Sequence, residues 1–220
     1  IFCFKLQINM LQKKYKSVVK SIKNPFTGIY SLEFESFDRS YKYQPGQFLH
    51  LAIDEEYDGT GQWPESRCFS MQSNPSEKNI RITYAVKGTF TKEMEKIFKV
   101  GSLVWLKLPY GDLFQQPHNK ENTVFIAGGT GITPFLSLFT HISFNNYINP
   151  KIYLGFRSKD HHIYHNELNN SCNSQNFVKS YFQETDGIID IIEIFNHNGI
   201  YPNYFISGPP SMIKTFKQTH

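Results

Sequence analysis

Val124-Phe125-Ile126-Ala127-Gly128-Gly129-Thr130-Gly131-Ile132-Thr133-Pro134-Phe135-Leu136 is the stretch whose reading decides the fold. It starts with an unbroken apolar run, the pattern of a parallel strand buried on both faces. Three glycines fall within four positions, and Pro134 follows them. Past the proline, Phe135, Leu136, Leu138, Phe139 and Ile142 recur at helical spacing, and a first helical turn accepts proline because its missing N–H is not needed there. The unit expected is a strand, a glycine turn and a helix reaching about Ser143. Such a unit cradles anions. Glycines let the backbone approach closely, and the free N–H groups and helix dipole face a phosphate. The alternative is a tight turn without a ligand, and the threonines Thr130 and Thr133 flanking Gly131 weigh against it. The spacing is not that of G-x-G-x-x-G.

Downstream, strands continue to alternate with helical stretches: Lys151–Phe156, helix Asp160–Leu168, Val178–Phe182, helix Ile189–Phe195, Tyr204–Ser207 and helix Pro210–Lys217. That is an α/β arrangement on a parallel sheet. Upstream the rhythm differs. Short strands are expected at Tyr15–Ile22, Gly28–Phe34, Gln47–Ile53, Arg67–Gln72, Ile80–Val86 and Leu103–Leu108. Breakers such as Asn24-Pro25 and Pro45-Gly46 punctuate them. One short helix is expected after Gly88, capped by Thr91, with Met94, Ile97 and Phe98 on one face. Strands this short and evenly spaced suggest an antiparallel β-barrel. The change of rhythm at Pro117–Glu121 divides the chain into residues 10–117 and 118–220.

The 220 residues, 40% hydrophobic and 16% aromatic, suffice for one large or two small cores. A net charge of +4 is too mild to argue for nucleic acid. Cys3, Cys68 and Cys172 are too dispersed for a disulfide framework or a metal site, so a reducing, cytoplasmic setting is expected. His161 and His165 would share a helical face, yet without a third ligand they read as surface histidines. No apolar run reaches the ~20 residues of a membrane helix. Residues 2–10 alternate like a strand, either an added edge strand or sequence upstream of a start at Met10. The chain stops at His220, inside an expected helix.

Five motifs in order resemble those of the ferredoxin–NADP reductase-like flavoproteins. They are Arg67-Cys68-Phe69-Ser70, Gly88-Thr89-Phe90-Thr91, Pro109-Tyr110-Gly111-Asp112-Leu113-Phe114, the glycine turn Gly128–Pro134, and Ser207-Gly208-Pro209-Pro210-Ser211-Met212. The resemblance runs from about Tyr15 to His220. It implies a flavin-binding antiparallel barrel followed by an α/β nucleotide-binding domain. It also implies hydride transfer from NADPH or NADH to a flavin, FAD with FMN as the alternative. Electrons would then pass to an acceptor such as ferredoxin, flavodoxin or another small redox protein. By resemblance, Arg67, Phe69, Ser70, Gly88, Thr89 and Thr91 hold the flavin. Gly128, Gly129, Thr130, Gly131, Thr133, Gly208 and Pro209 hold the nucleotide. Ser70 and Ser207 flank the hydride path, with no metal involved. Phe69 stands where the family has Tyr, and Ser207 where it often has Cys. Arg157 and Ser158, at the end of the second α/β strand, either hold a 2′-phosphate or form a solvated loop. A second reading is a flavin-binding electron-relay module, active only within a larger complex.

Overall fold

The structure, a computed structural model, describes residues 10–54, 56–172 and 177–219, without the side chains of 215–219. The alternating segment at 2–9 and the end at His220 lie outside the described residues. The first half comprises β1 (Lys13–Phe26), β2 (Ile29–Ser36), β3 (Phe48–Ala52), β4 (Ser66–Ser70), β5 (Ile80–Ala85), helix α1 (Thr89–Ile97) and β6 (Leu103–Tyr110). All pairings are antiparallel, in the order β4-β3-β6-β1-β2-β5. The period of two puts Leu32 and Phe34, Leu49 and Leu51, Ile80 and Ile82, and Leu106 and Leu108 inside. Helix α1 closes one side with Phe90 and Met94. The two edge strands curl toward each other just past Ser70, where the Gln72 N–H donates to the Arg81 carbonyl at 2.8 Å.

The second half carries β7 (Thr123–Gly128), a 3₁₀ turn (Gly129–Ile132), α2 (Thr133–Phe139), a 3₁₀ turn (Ile142–Asn146) and β8 (Lys151–Phe156). A third 3₁₀ turn (Lys159–His161), α3 (His165–Asn169), β9 (Phe177–Phe182), α4 (Gln183–Asp186), α5 (Ile191–Asn198), β10 (Asn203–Ser207) and α6 (Pro210–Thr219) follow. Its sheet is parallel, ordered β10-β7-β8-β9. Strand β7 is buried along its whole length, as an inner parallel strand must be. Helix α2 is buried on every side, with Phe125, Phe135, Phe139 and Phe144 forming an aromatic core.

Three expectations need correction. The helix expected to reach Ser143 ends at Phe139. The Thr140 hydroxyl bonds its own Leu136 carbonyl at 2.8 Å, and His141 Nδ1 then accepts from the Ser143 N–H at 3.2 Å to start a separate turn. The expected helix Asp160–Leu168 splits in two. His162 is drawn inward, 4.4 Å from the Phe156 ring, so the chain cannot stay helical through it. His161 and His165 therefore do not share a helix face. Instead His162 and His165 stack at 3.8 Å with planes 6° apart. Finally, Gly88 rather than Thr91 occupies the start of α1, and the Thr91 hydroxyl reaches back to accept the Lys87 and Gly88 N–H groups at 2.9 and 3.1 Å.

Aromatic packing and hydrogen bonds lock the halves together. Phe114, past the end of β6, inserts beside Phe205, Phe135 and Phe125 at 5.0, 6.0 and 6.2 Å. The Gly46 N–H donates to Ser137 Oγ at 2.9 Å. Gly46 has φ +80°, and a Cβ there would sit 2.5 Å from the Phe114 ring, so only glycine fits.

Candidate functional site

Strand β4 pairs Arg67 with Leu51 and Phe69 with Leu49, so both motif side chains leave the sheet on the barrel-core side. Arg67 lies at the edge of that side, its guanidinium 5.0 Å from the centre of the Phe90 ring. Phe90 belongs to the first turn of α1. Residues 67 and 88–91, separate in sequence, thus meet at one corner of the barrel. The first turn of a helix leaves its N–H groups without intrahelical partners, and this one carries no acidic residue. No atom lies within 4 Å of where a Gly88 Cβ would project, so the corner is open. Arg67 meanwhile pairs with Glu65 at 2.8 Å and donates to the Ser66 carbonyl at 2.9 Å, contacts on its half-exposed flank. An exposed pair of that kind is worth about 0–1 kcal/mol and yields easily to a phosphate. Phe69 packs edge-on to Tyr84 at 5.8 Å, and Ser70 is half-buried at the end of β4.

In the second half the glycines do a different job. A Cβ on Gly131 would lie 2.6 Å from the Ser207 carbonyl oxygen and 2.7 Å from the Gly208 backbone. One on Gly128 would lie 2.9 Å from Pro209 and 3.0 Å from Met212 Sδ. The glycine turn and the Ser207–Pro209 turn therefore touch backbone to backbone at adjacent ends of β7 and β10. Gly129 has φ +54° and faces open space. Thr133 Oγ1 donates to the Thr130 carbonyl at 3.0 Å, which braces the turn. Strand β5 lies against this turn, next to the seam where β4 ends at Ser70. The glycine turn thus lies against the barrel edge strand that closes the seam beside Ser70.

Arg157 is exposed after β8, and Ser158 is bonded to His161 Nδ1 at 2.7 Å. His161 also meets Phe26 of the barrel at 3.8 Å between ring centres. Burial holds the His162 imidazole below its ordinary value, with the neighbouring His165 adding to the effect. Sequence reasoning missed Phe90 as the platform for Arg67. It also missed Gln72, Arg81 and Glu167, which link the halves, because only the folded chain brings those three together. Among the described residues no group of three or more His, Cys, Asp or Glu side chains is placed to hold a metal ion.

An antiparallel barrel with a helix-start corner, followed by a parallel α/β half with a glycine turn, defines the class by fold: the chain has the fold of the ferredoxin–NADP reductases. More particularly, residues 125–218 match the family described as the oxidoreductase NAD-binding domain. The reductase component DmpP of phenol 2-monooxygenase from Pseudomonas sp. (strain CF600) is 32% identical over 122 residues, 54% of this chain and 32% of that protein. Methane monooxygenase component C of Methylosinus trichosporium is 32% identical over 132 residues, 59% of this chain and 37% of that protein. The chain thus spans about a third of the length of these relatives. A ferredoxin NADP+ reductase from Neisseria gonorrhoeae, with bound FAD and NADP, superposes with a TM-score of 0.74 at 19% identity, over 94% of this chain and 89% of that one. Among the described residues no helix is long and apolar enough to cross a membrane.

Proposed function

We propose that the chain is an NAD(P)H-dependent flavoprotein reductase, built of a flavin-binding domain over residues 10–117 and a nucleotide-binding domain over 118–220. The observation that carries the reading is the meeting of Arg67 with the open, acid-free start of α1. Together they suit a flavin's phosphates: a bidentate guanidinium on one side and backbone N–H groups of residues 89–91 on the other. Bound there, FAD would supply the chemistry of accepting a hydride from NADPH or NADH and passing electrons on.

The chain's own residues prepare that transfer. Phe69 offers an aromatic face to the flavin ring, and Ser70 a hydroxyl that can donate or accept beside it. Gly88 and Thr89 give the phosphate an unobstructed backbone. Thr91 acts from behind, since its hydroxyl is spent on the Lys87 and Gly88 N–H groups. Gly128, Gly131, Gly208 and Pro209 set the contact between the two turns. Gly129, Thr130 and Thr133 shape the face that would receive the nucleotide's pyrophosphate. Ser207, at the end of β10, would border the nicotinamide. Arg157, with Ser158 held by His161, would bind a 2′-phosphate and favour NADPH. Docking of the halves would exclude water from the reacting region.

Similarity to reductase components of monooxygenases favours a small redox protein, such as a ferredoxin or a flavodoxin, or another electron acceptor. A reducing, cytoplasmic setting fits the dispersed cysteines. Purified full-length chain, given FAD, should retain a flavin absorbance band and oxidise NADPH or NADH with a dye acceptor. Bound flavin without turnover would overturn the reductase reading. The share of its relatives that the chain spans favours a second reading, an electron-relay module of a larger assembly. That version would hold FAD but turn over slowly alone, and faster within its assembly.

A further inference from the structure

Glu167 belongs to neither cradle. It projects from α3 of the second half, and its Oε1 accepts from Gln72 Nε2 at 2.8 Å and from Arg81 Nη1 at 3.3 Å. Gln72 is 3% exposed and lies just beyond Ser70, on the continuation of β4. Its own Oε1 accepts the Thr83 hydroxyl at 2.5 Å, and its N–H donates to the Arg81 carbonyl. Arg81 also faces Glu77 at 3.6 Å, a looser and more exposed pair. One carboxylate oxygen therefore grips both lips of the seam between β4 and β5, and it does so from the opposite half. Among the described residues this is the only ion pair between the halves. The bonds of Gly46 to Ser137 and of Asn74 to the Thr140 carbonyl are neutral.

We infer that Glu167 is a positioning residue, a clamp that sets how closely the nucleotide turn approaches the strand carrying Arg67, Phe69 and Ser70. The inference rests on the reductase reading above. Hydride transfer needs the reacting atoms within a near-attack distance, and a ~1 Å misplacement can cost up to about 100-fold in rate. A clamp fixed to the end of β4 controls that distance without touching either cofactor.

The test compares Glu167→Ala with Glu167→Gln in the full chain. Glutamine keeps the acceptor oxygen, whereas alanine removes it. Glu167→Ala should lower the limiting rate of flavin reduction by about tenfold or more, with little change in KM and in FAD retention. Without cofactor, amide hydrogen exchange should quicken together in α3 and in residues 70–74, on both sides of the junction. Glu167→Gln should restore both readouts. Unchanged exchange in the alanine variant, or a glutamine variant as impaired as the alanine one, would overturn the clamp. The exchange measurement needs no flavin, so a wild-type chain that never reduces flavin would sink the reductase reading and leave the exchange pattern to judge Glu167.

Discussion

The barrel corner and the glycine turn are both suited to anions, yet they are made in opposite ways. At the corner the useful groups are side chains that reach outward. Arg67 has a half-exposed side chain lying over Phe90, and the space beside Gly88 is empty. At the turn the useful feature is the lack of side chains, because the Ser207 and Gly208 backbone occupies the place a Gly131 Cβ would take. The reason is distance between backbones. At the corner the long Arg67 side chain spans from β4 to the first turn of α1. The ends of β7 and β10 are hydrogen-bonded neighbours in a sheet, so their turns collide unless one lacks Cβ atoms. The corner should therefore tolerate truncation in folding but not in binding. The turn should tolerate no addition at all.

The sharpest way to break this contrast is Gly131→Ala. A methyl 2.6 Å from a carbonyl oxygen forces the backbone apart, and the expected loss is about 3 kcal/mol of unfolding free energy, read by denaturant titration. Wild-type stability would show that the two turns are not in register as described. Arg67→Ala should do the reverse. FAD affinity should weaken by about 1.5–3 kcal/mol in equilibrium dialysis, while stability stays within ~0.5 kcal/mol. Unaltered FAD retention would move the phosphate site elsewhere. Gly88→Ala makes the same chemical change as the first variant at an open position. It should cost roughly 0.5 kcal/mol of stability, and a larger loss would mean the corner is tighter than it looks.

The smallest expected effect is that of pH. His162 in the second half and His50 in the barrel are both held below the ordinary imidazole value, each chiefly by burial. Lys107 adds to the effect at His50, and His165 at His162. A lowered folded pKa means the unfolded chain takes up the proton first as pH falls. Their contribution to stability should thus be flat above the ordinary imidazole value of 6.5 and decline below it. His162→Gln should flatten part of that decline in melting curves between pH 7 and 5. A slope identical to wild type would show that the stacked histidines carry none of it.

Much of this architecture is legible in local pattern. The run Val124–Ala127 announces an inner parallel strand because a strand covered on both faces has no polar alternation. The alternation in β2, β5 and β6 announces a half-buried antiparallel sheet for the matching reason. Where long-range contact competes with local preference, the pattern misleads. His162 leaves a helical segment to pack on Phe156, and Thr140 ends a helix by bonding Leu136. Thr91 looks like a cap from its place in line, yet it serves as the back-reaching partner of Gly88.

The order of motifs, the glycines and the hydrophobic periods are properties of neighbours along the chain, and they suffice for the fold class. Which groups meet across the junction is not encoded in any short window. That Arg67 overlies Phe90, that Gly131 abuts Ser207, and that Glu167 reaches Gln72 and Arg81 all depend on closure of the barrel and docking of the halves. Burial strengthens such long-range polar contacts and excludes their competitors, and burial exists only once the whole chain has packed.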